Sequence, residues 1–247
     1  MEEPYIHVAY CMEPELPPPG YMDLMEEMLS LRAGHLPIGA SAGPWLLHPM
    51  IMEKGSDDYE HHMWRGLPIP RGVYMGLFHG KPTKNTVWMS DVPPEVWSMR
   101  DAIAALKEPE NKRVLITGLG LGIILEHARR QPHIKRIDVV EKDADVIRLV
   151  RHHYRGRHVH VHHGDAHTID LGPRRTWDYA YHDIWKDITA ANLPDMVRLE
   201  RRWKDRVGRQ DFWEREVCER HLRREAESRA AMKKAYEGYR ELVGRDV

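Results

Sequence analysis

Between Arg113 and Asp143 the chain reads R-V-L-I-T-G-L-G-L-G-I-I-L-E-H-A-R-R-Q-P-H-I-K-R-I-D-V-V-E-K-D, and no other stretch limits the possible folds so strongly. A short apolar run, Val114 to Ile116, meets three glycines, Gly118, Gly120 and Gly122. A helical pattern through Ile123, Ile124, Leu125 and Ala128 follows, then a second apolar run that stops at Glu141. Strand, glycine-rich turn, helix, strand and acid in that order predict the first half of a nucleotide-binding α/β unit. The glycines let the backbone turn tightly and let a ligand lie against bare main chain, facing helix N–H groups. A carboxylate at the end of the second strand can accept both hydroxyls of a ribose. The spacing departs from the dinucleotide form G-x-G-x-x-G, because the third glycine is Gly122 and Ile123 stands at the dinucleotide position.

The alternation of strand and helix continues. Ala144 to Tyr154 carries Val146, Ile147 and Val150 on one helical face. H-V-H-V-H, His158 to His162, alternates strictly and predicts a strand with one imidazole face. A zinc site is not expected there, since ligands along one strand face lie ~7 Å apart and a single metal needs them converging. That polar face is expected to pack under a helix or another chain. The strand leads into Gly164-Asp165-Ala166, and W-D-Y-A-Y-H forms a further strand that halts at Asp183. Three acids, Glu141, Asp165 and Asp183, thus end three successive strands. In open α/β sheets ligands bind outside the carboxyl ends of the strands, so these side chains are expected to converge.

Residues 72 to 188 resemble the class I S-adenosylmethionine-dependent methyltransferase fold. The G-x-G-x-G form is similar to that of such methyltransferases. Within them V-L-I-x-G-x-G-x-G, V-V-E-K-D, G-D-A and W-D-Y-A-Y-H-D resemble the spermidine synthase-like branch, as do the hairpin and helix before the glycines. D-I-W and W-M-S-D are also similar to stretches of uncharacterised methyltransferase-like proteins of phages. The resemblance implies S-adenosylmethionine as cofactor across Gly118 to Gly122, with Glu141 holding the ribose and Asp165 and Ala166 the adenine. It also implies that Asp183 faces the reacting sulfonium. Asp183 would orient or deprotonate an acceptor, and Trp185 would wall the acceptor pocket. Two departures count against a diamine substrate. Leu121 stands where spermidine synthases carry an Asp, and Lys186 stands where they carry a second Asp, with Asp187 one residue further on. A lysine there repels a cationic amine. Methyl transfer to an unknown acceptor is therefore the leading reading. Aminopropyl transfer and a non-catalytic protein that kept the fold are the alternatives.

With 247 residues, 42% of them hydrophobic, the chain can bury a sizeable core. Thirty-seven Lys and Arg against 38 Asp and Glu leave no net charge favouring nucleic acid or an anionic membrane. Cys11 and Cys218 form no disulfide framework and fit a reducing cytosol. No apolar run approaches the ~20 residues of a membrane span, and the acidic start M-E-E-P is unlike a signal peptide.

Residues 1–71 read as an irregular segment: P-E-L-P-P-P-G turning or extended, a helix over Tyr21 to Arg32 with Met22, Met25, Met28 and Leu29 on one side, then some forty residues of loop that include His61 and His62. Residues 72–194 read as a cofactor-binding domain opened by a hairpin, V-Y-M-G-L-F-H and T-V-W-M-S about a G-K-P-T-K-N turn, and by a helix over Asp91 to Lys107. Residues 195–247 read as a charged helical tail. Its first stripe is Met196, Leu199, Trp203 and Val207; its second is Met232, Ala235, Tyr236, Tyr239, Leu242 and Val243. Between them only Gly208 to Trp213 could form a fifth strand, so the sheet is expected to stop after strand four or five. Glu216/Arg220, Glu219/Arg223 and Glu225/Arg229 are spaced for i, i+4 pairs. Arg201, Arg202, Arg206 and Arg209 are interleaved with Glu200, Asp205 and Asp211, which disfavours a phosphate-tracking face. The second stripe is expected to be covered by another copy of the chain.

Overall fold

A computed structural model describes residues 16–64 and 66–243 of the chain. Cys11, the M-E-E-P start, Pro14, Glu15 and the side chains of Tyr239, Leu242 and Val243 lie outside the described residues. The centre of the molecule is a parallel five-stranded sheet. Its strands are β5 (Arg113–Thr117), β6 (Arg136–Glu141), β7 (Val159–His163), β8 (Trp177–His182) and β9 (Val207–Phe212), in the order β7-β6-β5-β8-β9. Each neighbouring pair runs parallel, with Ile116 opposite Val139 on one side and Tyr181 on the other. The expected fold class, α/β with a Rossmann-like sheet, is the one observed, and the sheet ends at its fifth strand.

Alternation along the strands explains the layering, because a parallel sheet is covered on both faces and successive side chains point opposite ways. Val114, Ile116, Tyr179 and Tyr181 face one way, into a core shared with α5 (Ile123–Arg130), α6 (Ala144–Val150) and α4 (Arg100–Leu106). Leu115, Val140 and Ala180 face the other way, onto Met196, Leu199 and Trp203 of α7 (Leu193–Trp203). The first tail stripe therefore covers the protein's own sheet. Val207, read as part of that stripe, instead opens β9 and is buried there.

The N-terminal part differs most from the sequence reading. Where loop is expected, the chain forms β1 (Ser41–Ala42), β2 (Trp45–Met52) and α2 (Asp57–Trp64), and His61 and His62 lie on that helix. β2 pairs along its whole length with β3 (Gly72–His79), which pairs with β4 (Val87–Ser90). The expected hairpin is thus half of a four-stranded antiparallel sheet, and its pairing crosses the 71/72 position. Pro49 in β2 and the glycines around it conceal the strand from a period-two reading. The helix over Tyr21 to Arg32 is shorter, α1 (Met25–Ser30). Met28 is buried, while Met22 faces solvent. Asp91 to Lys107 forms two helices, α3 (Pro93–Trp97) and α4, broken at Ser98 and Met99. Asp91 joins these parts: fully buried, it accepts backbone N–H groups of Ala33 and Met75, each at 2.6 Å.

The histidine strand forms one residue later than the expected His158 to His162, as β7 (Val159–His163). His162 Nε2 meets Asp138 Oδ1 at 2.7 Å, and Trp177 Nε1 and the Arg136 guanidinium donate to the same carboxylate. Burial alone would raise that acid, but these three donors hold it well below the usual carboxylate range. Among the described residues no group of three or more metal-ligating side chains is placed to hold an ion. No helix there is long and apolar enough to cross a membrane.

Candidate functional site

A cavity of about 760 Å³ opens where β5, β6, β7 and β8 end at their carboxyl side. Its lining brings together Gly118, Gly120, Glu141, Asp165, Ala166, Asp183 and Trp185. A volume of this size suits a ligand of nucleoside dimensions. Gly122 and Asp187 do not line it. Gly122 caps α5 in a left-handed conformation (φ 77°), and a methyl group there would overlap the Tyr154 ring. Tyr154 in turn donates to the Leu121 carbonyl at 2.5 Å. Asp187 lies in a neighbouring groove beside Lys186, because the chain turns away after Trp185.

The other two glycines have equally local reasons. Gly118 sits at φ 92°, and a Cβ would overlap the backbone carbonyl oxygen of Asp183. Gly120, at φ 50°, abuts the sulfur of Met89, which also accepts the Leu121 N–H. The loop therefore presents bare main chain to the cavity because the strand-end backbone and β4 press on it from both sides.

Glu141 is oriented by its own loop neighbours. Leu119 N–H donates to one carboxylate oxygen and Asp143 N–H to the other, both at 2.8 Å. With these bonds made, the carboxylate keeps capacity to accept a ligand hydroxyl. Burial outweighs these bonds and raises its pKa. Asp165 is the opposite case. The Lys142 ammonium at 2.9 Å and the His167 N–H hold it in its charged form. Lys142 is largely exposed, so this pair forms the wet rim of the cavity.

Asp183 follows β8 directly, and its N–H donates to the Thr117 carbonyl. Among the described residues its carboxyl has neither a hydrogen bond nor an ion pair. Burial, added to repulsion by Glu95 and Glu141, pushes its pKa up to about 8. Beneath it His182 is fully buried between Thr117 Oγ1 (2.9 Å) and Gln210 Oε1 (3.0 Å). That arrangement places its proton on Nε2, with Nδ1 accepting from the threonine. Trp185 lines the cavity and donates through Nε1 to Asp195 at 3.1 Å, which His167 also contacts.

Several lining residues were not legible as site residues. Trp45 of β2 donates through Nε1 to Asp143 at 2.6 Å, and Asp143 also caps α6. The antiparallel sheet is fastened to the rim of the cavity in this way. Trp88 and Met89 of β4 complete that wall. Glu95, in the first turn of α3, is the most consequential addition. Ser90 donates to Glu95 Oε2 through both its backbone N–H and its hydroxyl. Burial, only partly opposed by those bonds, lifts the acid to about 7. In sequence Glu95 is an ordinary acid at a helix start, where the dipole favours one, so nothing distinguishes it.

No protein-family model matches the sequence, and no curated protein matches it. Among solved structures, part of the chain is similar to SAM-bound CalS10, an amino pentose methyltransferase from Micromonospora echinaspora involved in calicheamicin biosynthesis. The identity is 28%, over 46% of this chain and 45% of that one, with a TM-score of 0.34. It is also similar to an S-adenosylmethionine-dependent methyltransferase from Mesorhizobium loti, at 17% identity over 44% of this chain and 49% of that one, TM-score 0.35. A third is the CcbJ methyltransferase from Streptomyces caelestis, at 18% identity over 47% and 45%, TM-score 0.37. The chain spans just under half the length of each of these structures.

Proposed function

We propose that the protein binds S-adenosylmethionine and transfers its methyl group to an acceptor. The observation that carries this reading is the charge of the cavity. Glu95, Glu141 and Asp183 line one enclosure, each raised by burial, and Glu95 and Glu141 both push Asp183 higher. Among the described residues none of the three has an ion-pair partner. A cation entering there relieves a repulsion that the fold otherwise retains. A neutral nucleoside would not do so, whereas a sulfonium carries the required positive charge.

The residues present fit such a cofactor. Glu141 is positioned to accept ribose hydroxyls, the Asp165–Ala166 turn bounds the adenine end, and Gly118 and Gly120 offer open backbone. When bound, the cofactor supplies an activated methyl group, so the chain has mainly to align an acceptor with it. Asp183, unpaired and with a pKa near neutrality, is suited to take the acceptor's proton. The positions where diamine-binding acids are expected supply none to the cavity, since Leu121 is buried in the core and Asp187 lies outside. The helix α8 (Arg215–Val243), exposed over residues 222–236, is proposed to mediate self-association.

Titration calorimetry tests the cofactor reading. S-adenosylmethionine should bind with release of protons, seen as a heat that changes between buffers of different ionisation enthalpy. S-adenosylhomocysteine, lacking the sulfonium charge, should release fewer. Glu141→Ala should weaken both by about 10- to 100-fold, the worth of a hydrogen bond to a charged group. No heat at millimolar ligand would overturn the reading.

A further inference from the structure

A second groove of about 1230 Å³ adjoins the cavity, and four residues line both: Trp88, Met89, Glu95 and Trp213. Glu95 therefore stands at the junction, with the cofactor cavity on one side and an aromatic passage on the other. Trp213 is fixed there, its Nε1 donating to Ser98 Oγ at 2.8 Å. Both Ser90 donors meet Glu95 on Oε2, which leaves Oε1 without a hydrogen-bond partner among the described residues.

From this geometry, and resting on the methyl-transfer reading above, we infer that the acceptor is an amine that enters through the second groove and is held at the junction by Glu95, its nitrogen lying between Glu95 and Asp183. Charge counting supports the choice. A sulfonium offsets one negative charge, but Glu95, Glu141 and Asp183 all line the cavity, and Asp183 is repelled by the other two. A second cation, an ammonium, offsets a further charge; an alcohol, thiol or carboxylic acid does not. Four cations also line the groove, Lys84, Arg100, Lys186 and Arg220. Arg100 lies 3.8 Å from Glu214, Arg220 also acts on Glu214, and Lys186 Nζ donates to the Asn85 carbonyl at 3.3 Å. Hydrogen bonding leaves the Lys186 charge in place, 6.0 Å from the Trp88 ring, so the Glu95 and Asp183 carboxyls have to hold the amine against that repulsion. In transfer, the ammonium first gives a proton to the Asp183 carboxylate. The freed nitrogen lone pair then forms the N–C bond as the C–S bond breaks, its electron pair going to sulfur. The products are a methylated ammonium, a neutral thioether and protonated Asp183.

The test measures binding rather than turnover and uses benzylamine and benzyl alcohol, two probes of one shape that differ in charge. Wild-type protein is first saturated with S-adenosylmethionine or S-adenosylhomocysteine, and each probe is then titrated calorimetrically. Benzylamine should bind the loaded protein at least about tenfold more tightly than benzyl alcohol, a gap matching one charged hydrogen bond. Glu95→Gln should remove most of that gap while keeping S-adenosylhomocysteine affinity within a few-fold. Glu95→Asp should restore part of it. Equal affinity for the two probes, binding of neither, or an unchanged gap in Glu95→Gln would overturn the inference. Should Glu95→Gln fail to fold, the ratio of the two probes on wild-type protein decides alone. Failure of the cofactor itself to bind is a separate outcome, and refutes the methyl-transfer reading on which the inference rests.

Discussion

Replacing Asp183 by Asn should make the ligand-free protein more stable at alkaline pH. The Asp183 pKa is raised from 3.8 to about 8 by burial, then by Glu95 and Glu141. Between those two values the folded state holds a proton that the unfolded state has released, so unfolding free energy falls as pH rises. The slope is about 1.4 kcal/mol per pH unit for one such group. Over the interval from about pH 5 to the folded pKa, the loss attributable to Asp183 approaches about 4 kcal/mol. Asn cannot ionise, so the variant lacks this component. Denaturant titrations of both proteins at about pH 5 and about pH 9 would show it as a double difference. The wild type should lose about 4 kcal/mol more than Asp183→Asn across that range, while methyl transfer by the variant collapses. A double difference below about 1 kcal/mol, or one of opposite sign, would show that Asp183 is already neutralised or solvated in the free protein. The charge argument for a cationic ligand would then fail.

Three further outcomes follow from other parts of the fold. His127 and His182 are both buried and lowered to about 4 from 6.5, chiefly by burial. Here the unfolded state gains protons first, so each should remove about 3 kcal/mol of stability as pH falls from about 6.5 to 4; unfolding titrations of His182→Gln should show a shallower acid loss than wild type. Gly118→Ala should abolish cofactor binding and cost far more stability than Gly55→Ala. Gly55 also has positive φ (89°) but open space around it, so only the left-handed cost of about 1–2 kcal/mol applies; thermal melts of the two variants settle the comparison. Deleting residues 224–247 spares Cys218, which is buried in the core. The deletion should leave S-adenosylhomocysteine affinity within a few-fold while reducing the oligomer to monomer by light scattering, and an unchanged number of chains per particle would remove the self-association proposal.

Legibility in the sequence followed how local the cause was. The parallel sheet was readable because β5 runs apolar into the glycines, while β6 ends on Glu141 and β8 is followed directly by Asp183. The fifth strand was barely readable: V-G-R-Q-D-F has a glycine and three polar residues. It stands as a strand because it pairs with β8 and shares a core with α7. The strand β2 was hidden by Pro49, which a sheet tolerates at an edge or an irregular position but a sequence pattern does not advertise. Glu95 was hidden for a different reason. Its role depends on burial beside Asp183, 88 positions later in the chain, and no periodicity records such a meeting.

The glycine motif itself shows why a motif and a ligand are separate inferences. Gly118 is required by the Asp183 carbonyl, Gly120 by the Met89 sulfur and Gly122 by the Tyr154 ring. All three would be needed for this loop to fold even if nothing ever bound against it. Their presence therefore specifies a backbone path, and only the cavity that path leaves open bears on a ligand. Under the proposed reading, what bears on a ligand is that Asp183 and Glu95 line the cavity with no ion-pair partner among the described residues. Burying an unpaired carboxyl costs the fold stability that an uncharged residue would have kept. Glu95 at the junction with the second groove and Asp183 inside the cavity make sense physically when cations arrive from both sides.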